Sequence, residues 1–268
     1  MTLLRSKRIQ SLTQYSAIIE EFVADSEGPV WYRGVGRASF TLLPTLYRHE
    51  TKSTPENLAQ LEVALITRFR QRSIPFHSRS LADDLETLFF MQHYGVPTRL
   101  LDWTENPLVA LYFAVTGARR DTTRSGYEED ASVWFLRPDP WNQHALQHQS
   151  YTGGILGSEA QELAGYRRTP GFTSMNKHPV AIFGAYNSQR IVAQRGVFTL
   201  FGQDTQPLDN VYSTSGFSKD CLFKIIIPRR FLARLKKAVF DYGITESVIF
   251  PDLDGLAREL KRHFGFEG

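Results

Sequence analysis

Hydrophobic positions along the chain follow two periods, and the change from one to the other outlines its elements. Spacings of three and four residues mark amphipathic helices. They occur at 11–23, where Tyr15, Ile18, Ile19 and Phe22 share a face, and after Thr54-Pro55, where Leu58, Leu61, Leu65 and Phe69 form a stripe. The same period places Leu81, Leu85, Leu88 and Phe89 on one side of a helix at 80–91. Another helix begins at Phe231, Leu232 and Leu235. A last one follows Asp252, with Leu253, Leu256, Leu260 and Phe264 expected inward. Short runs rich in β-branched and aromatic residues predict strands at 30–35, 99–103, 132–136, 222–227 and 246–250, and strands interrupted at Gly196 within 191–201. The run at 222–227 is almost continuously apolar, which predicts burial on both faces. Residues 139–177 show no clear period. Helices early and strands dominating the second half predict an α+β fold, a single mixed domain over 1–268 with its motif-bearing core at about 28–262.

One stretch breaks the pattern. Gln92-His93-Tyr94-Gly95-Val96-Pro97-Thr98-Arg99-Leu100-Leu101-Asp102-Trp103-Thr104 places polar side chains of several kinds in an otherwise apolar run. Gly95 and Pro97 mark a turn. Asn106-Pro107 opens the next helix, with Asn106 as N-cap and Pro107 at the first helical position. A buried Arg or Asp costs stability unless it is paired. Two readings follow: an internal ion pair of Arg99 with Asp102 or another carboxylate, or polar groups facing a pocket at the strand end.

Composition narrows the function classes. Hydrophobic residues make up 42% and charged residues 22% of the chain, ordinary values for a globular protein. A net charge of +3 is too small for this length to indicate nucleic acid by itself. The single cysteine, Cys221, excludes an intrachain disulfide and reads as a packing residue. Residues 1–8 are too poor in apolar side chains for a signal peptide, and no apolar run approaches the ~18–20 residues of a membrane span. The expected location is the cytoplasm, with no membrane partner. His144 and His148 stand four residues apart, but no third ligand has a convincing spacing, so no metal is expected.

Other polar residues sit inside apolar strands. Arg33 lies within 30–35, and Gly34 beside it would let a ligand approach the backbone. Gln194 follows Ala193 at the edge of an apolar run. Arg33, Asp102 and Gln194 are expected to converge on one cleft.

Several of these runs resemble the FRG domain, named for an aromatic-Arg-Gly motif, here Tyr32-Arg33-Gly34 with Tyr for Phe. The most distinctive match runs from Gln92 to Ala114. Leu43-Pro44-Thr45-Leu46-Tyr47-Arg48, the run from Arg190 to Thr199 and the run from Phe250 to Leu256 also fit. The order of motifs is more distantly similar to ADP-ribosyltransferases with an Arg-Ser-Glu core, and this likeness implies an ADP-ribosyltransferase-like core. Arg33-Gly34 would be the first element, and Asp102-Trp103-Thr104 with the helix to Phe113-Ala114 the second. Strand order puts Gln194 at the third, where those enzymes carry a carboxylate. Glu246 is the nearest carboxylate that fits the Glu-then-apolar pattern.

The resemblance implies NAD as substrate, with Glu246 and Gln194 as catalytic candidates. Arg33, Gly34, His93, Tyr94, Arg99, Asp102, Trp103, Thr104 and Arg190 are the implied binding residues. The chemistry suits these types. Cleavage of the nicotinamide–ribose bond passes through an oxocarbenium-like state, as glycoside hydrolysis does. A carboxylate or amide at the ribose favours that charge. An Arg fork matches a pyrophosphate, and Tyr94 or Trp103 could stack on the nicotinamide. The sequence has no G-x-G-x-x-G fingerprint of a Rossmann site. Three function classes follow: an NAD-dependent ADP-ribosyltransferase or glycohydrolase acting on an unknown macromolecular acceptor, of the kind used as bacterial toxin or antiviral defence effector; a nucleic-acid-binding or processing protein in which Arg33, Arg99 and Arg190 meet phosphates; and a non-catalytic ligand-sensing or interaction module.

Overall fold

The computed structural model describes residues 2–77, 81, 83–123, 125–167, 175–184 and 188–266. Its elements are β1 (Arg5–Arg8), α1 (Leu12–Ala24), β2 (Trp31–Val35), α2 (Pro55–Ser73), α3 (Asp84–His93), β3 (Leu100–Thr104), α4 (Pro107–Thr116), β4 (Ala131–Leu136), α5 (Pro138–Ala145), β5 (Val180–Ile182), α6 (Gln189–Gln194), β6 (Gly196–Leu200), α7 (Leu208–Thr214), β7 (Leu222–Ile227), α8 (Leu232–Asp241), α9 (Glu246–Ile249) and α10 (Leu253–His263). The expected helix caps form. Ser11, Thr54, Asn106 and Asp252 accept backbone N–H groups of the first turns of α1, α2, α4 and α10. Gly95, at φ +73°, turns the chain out of α3 toward β3. Ser80 and Ala82, at the expected start of α3, lie outside the described residues.

The strands form one seven-stranded sheet in the order β1-β7-β4-β2-β3-β6-β5. Among the described strands, β1 and β7 pair in parallel and the other neighbours are antiparallel. Alternation along β4 shows how both faces are covered. Ala131, Val133 and Phe135 join a core with Tyr15 of α1, Ala110 of α4 and Leu235 of α8. Trp134 and Leu136 join the opposite core with Leu58 of α2, Phe89 of α3 and Trp141 of α5.

The mixed α+β character is present, but the expected segregation is not. Three strands lie before residue 105, and the second half also carries α5 to α10. The expected strands at 191–194 and 246–250 are helical. Ser188 caps α6, and Arg195 at φ +46° ends it after six residues, too few for a helical period to show. The Val-Ile-Phe composition at 248–250 suggests a strand, but β-propensity yields to context; the backbone there closes helical bonds from Ile249 N–H to Thr245 O and from Phe250 N–H to Glu246 O. β1 was not expected, because Arg-Ser-Lys-Arg carries no apolar alternation; charges of this kind suit an edge strand.

The orientation of α10 is also reversed from expectation. Leu253 is 82% and Phe264 69% exposed, with Leu256 and Leu260 exposed too. Its polar face docks instead. Glu259 Oε2 accepts from Ser247 N–H at 3.0 Å, Arg262 pairs with Glu246, and a Cβ on Gly255 would lie 1.9 Å from the Phe250 carbonyl oxygen.

Candidate functional site

The site arises where the sheet splits. β2 pairs with β4 through all five of its residues, and β3 pairs with β6 through all five of its own. β2 and β3 meet only at Tyr32 and Thr104. Beyond that point they diverge, and a cleft of about 250 Å3 opens between them. Arg33, Asp102 and Gln194 all line it, as expected, together with Arg190, Gln92, Tyr32 and Phe113. The Arg33 guanidinium spans the split: Nη1 donates to the Asp102 carbonyl oxygen at 2.5 Å and lies 3.8 Å from its carboxylate.

Charge in the cleft is uneven. Burial pulls the Arg33 guanidinium down from its ordinary range, and the Asp102 carboxylate opposes that shift. The same two causes, in the same order, act on Arg48 and Arg190. Arg33 and Arg190 line the cleft with Asp102 as their shared counter-charge, whereas the exposed Arg48 lies outside the lining and donates to the Leu43 carbonyl oxygen. Asp102 is oriented by Gln92, whose Nε2 donates to Oδ2 at 2.8 Å; the Gln92 Oε1 is in turn held by the Thr98 hydroxyl. The Asp102 side chain remains 54% exposed and so faces the cleft opening.

Arg190 joins the cleft to a second depression of about 550 Å3 that holds His93, Tyr94, Ser188 and Asp252. Tyr94 is 64% exposed and can present its ring to a ligand. Burial, and then Arg190, lower the His93 pKa, and its Nδ1 lies 3.2 Å from Ser188 Oγ. The Arg190 guanidinium itself sits over the Phe250 ring, 4.8 Å from the centroid.

Arg99 and Glu246 lie outside the cleft, and Trp103 and Gly34 line it with packing duties of their own. Arg99 does not reach the cleft and does not pair with Asp102. Its Nε lies 3.1 Å from Glu62 Oε1, while Nη1 and Nη2 donate to the carbonyl oxygens of Phe201 and Tyr166 at 2.6 Å. The strand's pleat turns Arg99 away from the split, and α2 supplies the carboxylate. Glu246 is also elsewhere: it is buried against Arg262, with Nε 2.9 Å from Oε1. Trp103 lines the cleft but is 3% exposed, and its Nε1–H donates to Thr199 Oγ1, so its ring is no stacking platform. At Gly34 the space that a side chain would fill is occupied by α4, with the Ala110 carbonyl oxygen 1.8 Å from a built Cβ. Helix packing thus requires a glycine here, and Gly34 still lines the cleft. Thr104 lines the cleft and ties it together, donating to the Gln194 carbonyl oxygen at 2.6 Å and accepting from Asn106 N–H.

Gln92, Tyr32 and Phe113 line the cleft and are the residues that sequence reasoning left out of the site. All three lie inside runs that match the FRG pattern, but Gln92 reads locally as a surface residue and the two aromatics as core. His144 and His148 are engaged separately, with the Ser215 carbonyl and with Asn176. Among the described residues no cluster of His, Cys, Asp or Glu has the form of a metal site, and no helix is long and apolar enough to cross a membrane.

Residues 28–123 match the family model of the FRG domain, a span that includes β2, β3, α4 and most of the cleft-lining side chains. No curated protein and no solved structure matches the chain.

Proposed function

We propose that the split cleft binds NAD and that the chain is an NAD-dependent ADP-ribosyltransferase or NAD glycohydrolase. The observation that carries this reading is the pair Arg33 and Arg190, which line one cleft together with the Asp102 carboxylate. A pyrophosphate bears two negative charges, and planar guanidinium forks match its oxygens. The two depressions joined at Arg190 suit a ligand with two nucleoside halves and charge between them.

In this reading the bond between ribose C1′ and the nicotinamide nitrogen breaks, and its electron pair passes to that nitrogen and neutralises the pyridinium. Water, or a nucleophile on a macromolecular acceptor, bonds to C1′ and gives up a proton. Asp102 is the carboxylate placed at the cleft, where it can stabilise the positive charge that develops on the ribose. Gln194 Nε2 is committed to the Ile249 carbonyl oxygen at 3.1 Å, and its Oε1 is the atom available for a ribose hydroxyl. Asp102 thus takes the role that the sequence assigned to Glu246.

The test is nicotinamide release from NAD, followed by chromatography, with NAD binding measured by calorimetry. Asp102→Asn is expected to bind NAD and release at least ~100-fold less nicotinamide. Gln194→Ala is expected to weaken binding. A wild-type protein that binds NAD without cleaving it favours the ligand-sensing module, a reading that the amide at position 194 supports. A wild-type protein that neither binds nor cleaves NAD overturns the proposal.

A further inference from the structure

A separate depression of about 460 Å3 lies between α4, α8 and the end of α10. Phe113, Phe250 and Phe266 form its apolar walls, and Lys236, Arg258 and Lys261 supply its cations. Phe113 also lines the split cleft, so the two cavities share one aromatic residue. Phe250 connects them electrostatically: Arg190 sits over its ring on the cleft side, and Arg258 is 4.2 Å from the same centroid.

The acid at this depression is already neutralised. Glu246 is bound through both oxygens by Arg262 Nε at 2.9 and 3.0 Å. The exposed Lys237 and Asp241 pair with each other along α8. Arg258 and Lys261 therefore face solvent beside a paired carboxylate, and Phe266, 78% exposed, stands next to them. Cations in the last turn of α10 do complement the helix dipole. That placement does not account for an exposed phenyl ring beside them, or for the concavity.

Rings beside cations, in a hollow of this size, match one ligand chemistry. An aromatic base stacks on the exposed Phe266 ring, and a phosphate meets the ammonium and guanidinium groups. The volume lies within the range of small-ligand sites. We infer that this depression is a second nucleotide site, which takes a phosphate-bearing aromatic base either as a free mononucleotide or as one residue of a single strand. The inference is independent of NAD chemistry in the cleft.

Two probes distinguish the sources: adenosine 5′-monophosphate, and a fluorescein-labelled twelve-residue oligothymidylate read by anisotropy. The variant is Lys261→Glu combined with Phe266→Ala, both at exposed positions, so the fold should be kept, with only the small fall in melting temperature that reversing a charge at the end of α10 brings. At least one probe is expected to bind the wild type and to bind the variant at least tenfold more weakly. Oligothymidylate binding should fall with salt at a log–log slope of about −0.7 to −1.4, for the one or two phosphates that flank a single bound residue. Binding of the mononucleotide with no gain from the strand identifies a free nucleotide as ligand; much tighter binding of the strand identifies single-stranded nucleic acid. The site assignment is overturned if neither probe binds, or if the double variant binds both as the wild type does. NAD binding measured on the same variant reports on the cleft separately and should be unchanged.

Discussion

Arg99 and Glu62 face each other across the core, with Nε 3.1 Å from Oε1, and their side chains are 4% and 1% exposed. The guanidinium also binds the carbonyl oxygens of Phe201 and Tyr166, so one side chain ties α2, β3, the end of β6 and the segment before residue 168 together. Removing either partner leaves a buried charge uncompensated. Arg99→Ala and Glu62→Ala are each expected to cost ~3–5 kcal/mol in urea unfolding. The double change Arg99→Met with Glu62→Leu should cost less than the sum of the two. Normal stability in Arg99→Ala, with loss of NAD binding, would return Arg99 to the site.

Arg33 contributes geometry as well as charge, because its guanidinium bridges the split at the Asp102 carbonyl. Arg33→Lys keeps the charge but cannot span the carbonyl and an anion with one planar fork. NAD affinity is expected to fall at least ~10-fold in Arg33→Lys, measured by calorimetry. Equal affinity in the lysine variant would show that only net charge matters there.

Gly34→Ala should disrupt the contact between β2 and α4, because the obstructing atom is the backbone oxygen of Ala110 and not a movable side chain. A loss of ~3 kcal/mol or more is expected in chemical denaturation, above the usual range for overpacking. Gly157→Ala is the control: nothing lies within 4 Å of its built Cβ, and a change within about 0.5 kcal/mol is expected.

Glu246→Ala tests whether that carboxylate is structural. It leaves Arg262 without its partner at a site where Glu246 is nearly buried, and a loss of ~3 kcal/mol is expected. Nicotinamide release at a temperature where the variant is folded should match the wild type. Abolished release with unchanged stability would restore Glu246 as the catalytic group.

Acid should weaken the fold through His93 and His178. Burial lowers the pKa of both, with Arg190 adding to the effect at His93 and Lys177 at His178. Above their unfolded value of about 6.5 both states are neutral, and these groups contribute nothing. As pH falls below that value the unfolded chain binds protons that the folded chain refuses, so stability drops until the lowered folded pKa is passed. Urea midpoints at pH 7.5 and 5.5 should show the decrease, and His93→Gln should make it smaller.

The sequence by itself determined the local features of this chain. Ser11, Thr54, Asn106-Pro107 and Asp252 mark helix starts because capping needs only a side-chain oxygen and the next turn's N–H groups. Strands β2, β3, β4 and β7 were legible because alternation and branched side chains are properties of short windows. The FRG resemblance rested on the run from Gln92 to Ala114, and the match over residues 28–123 contains it. Tertiary structure decided everything that depends on a distant partner. Whether β2 and β3 pair along their length or part after Tyr32 and Thr104 is a choice between strands about seventy residues apart, and that choice creates the cleft. Arg99 and Asp102 look equivalent in a polar–apolar run. Arg99, just before β3, and Asp102 within it are three residues apart in an extended segment, so alternation sends the first to Glu62 in the core and the other to the cleft. The pattern of α10 likewise specified an apolar face. Burial was settled by its polar side, where Glu259 and Arg262 find Ser247 and Glu246 on α9, a contact no window of sequence contains.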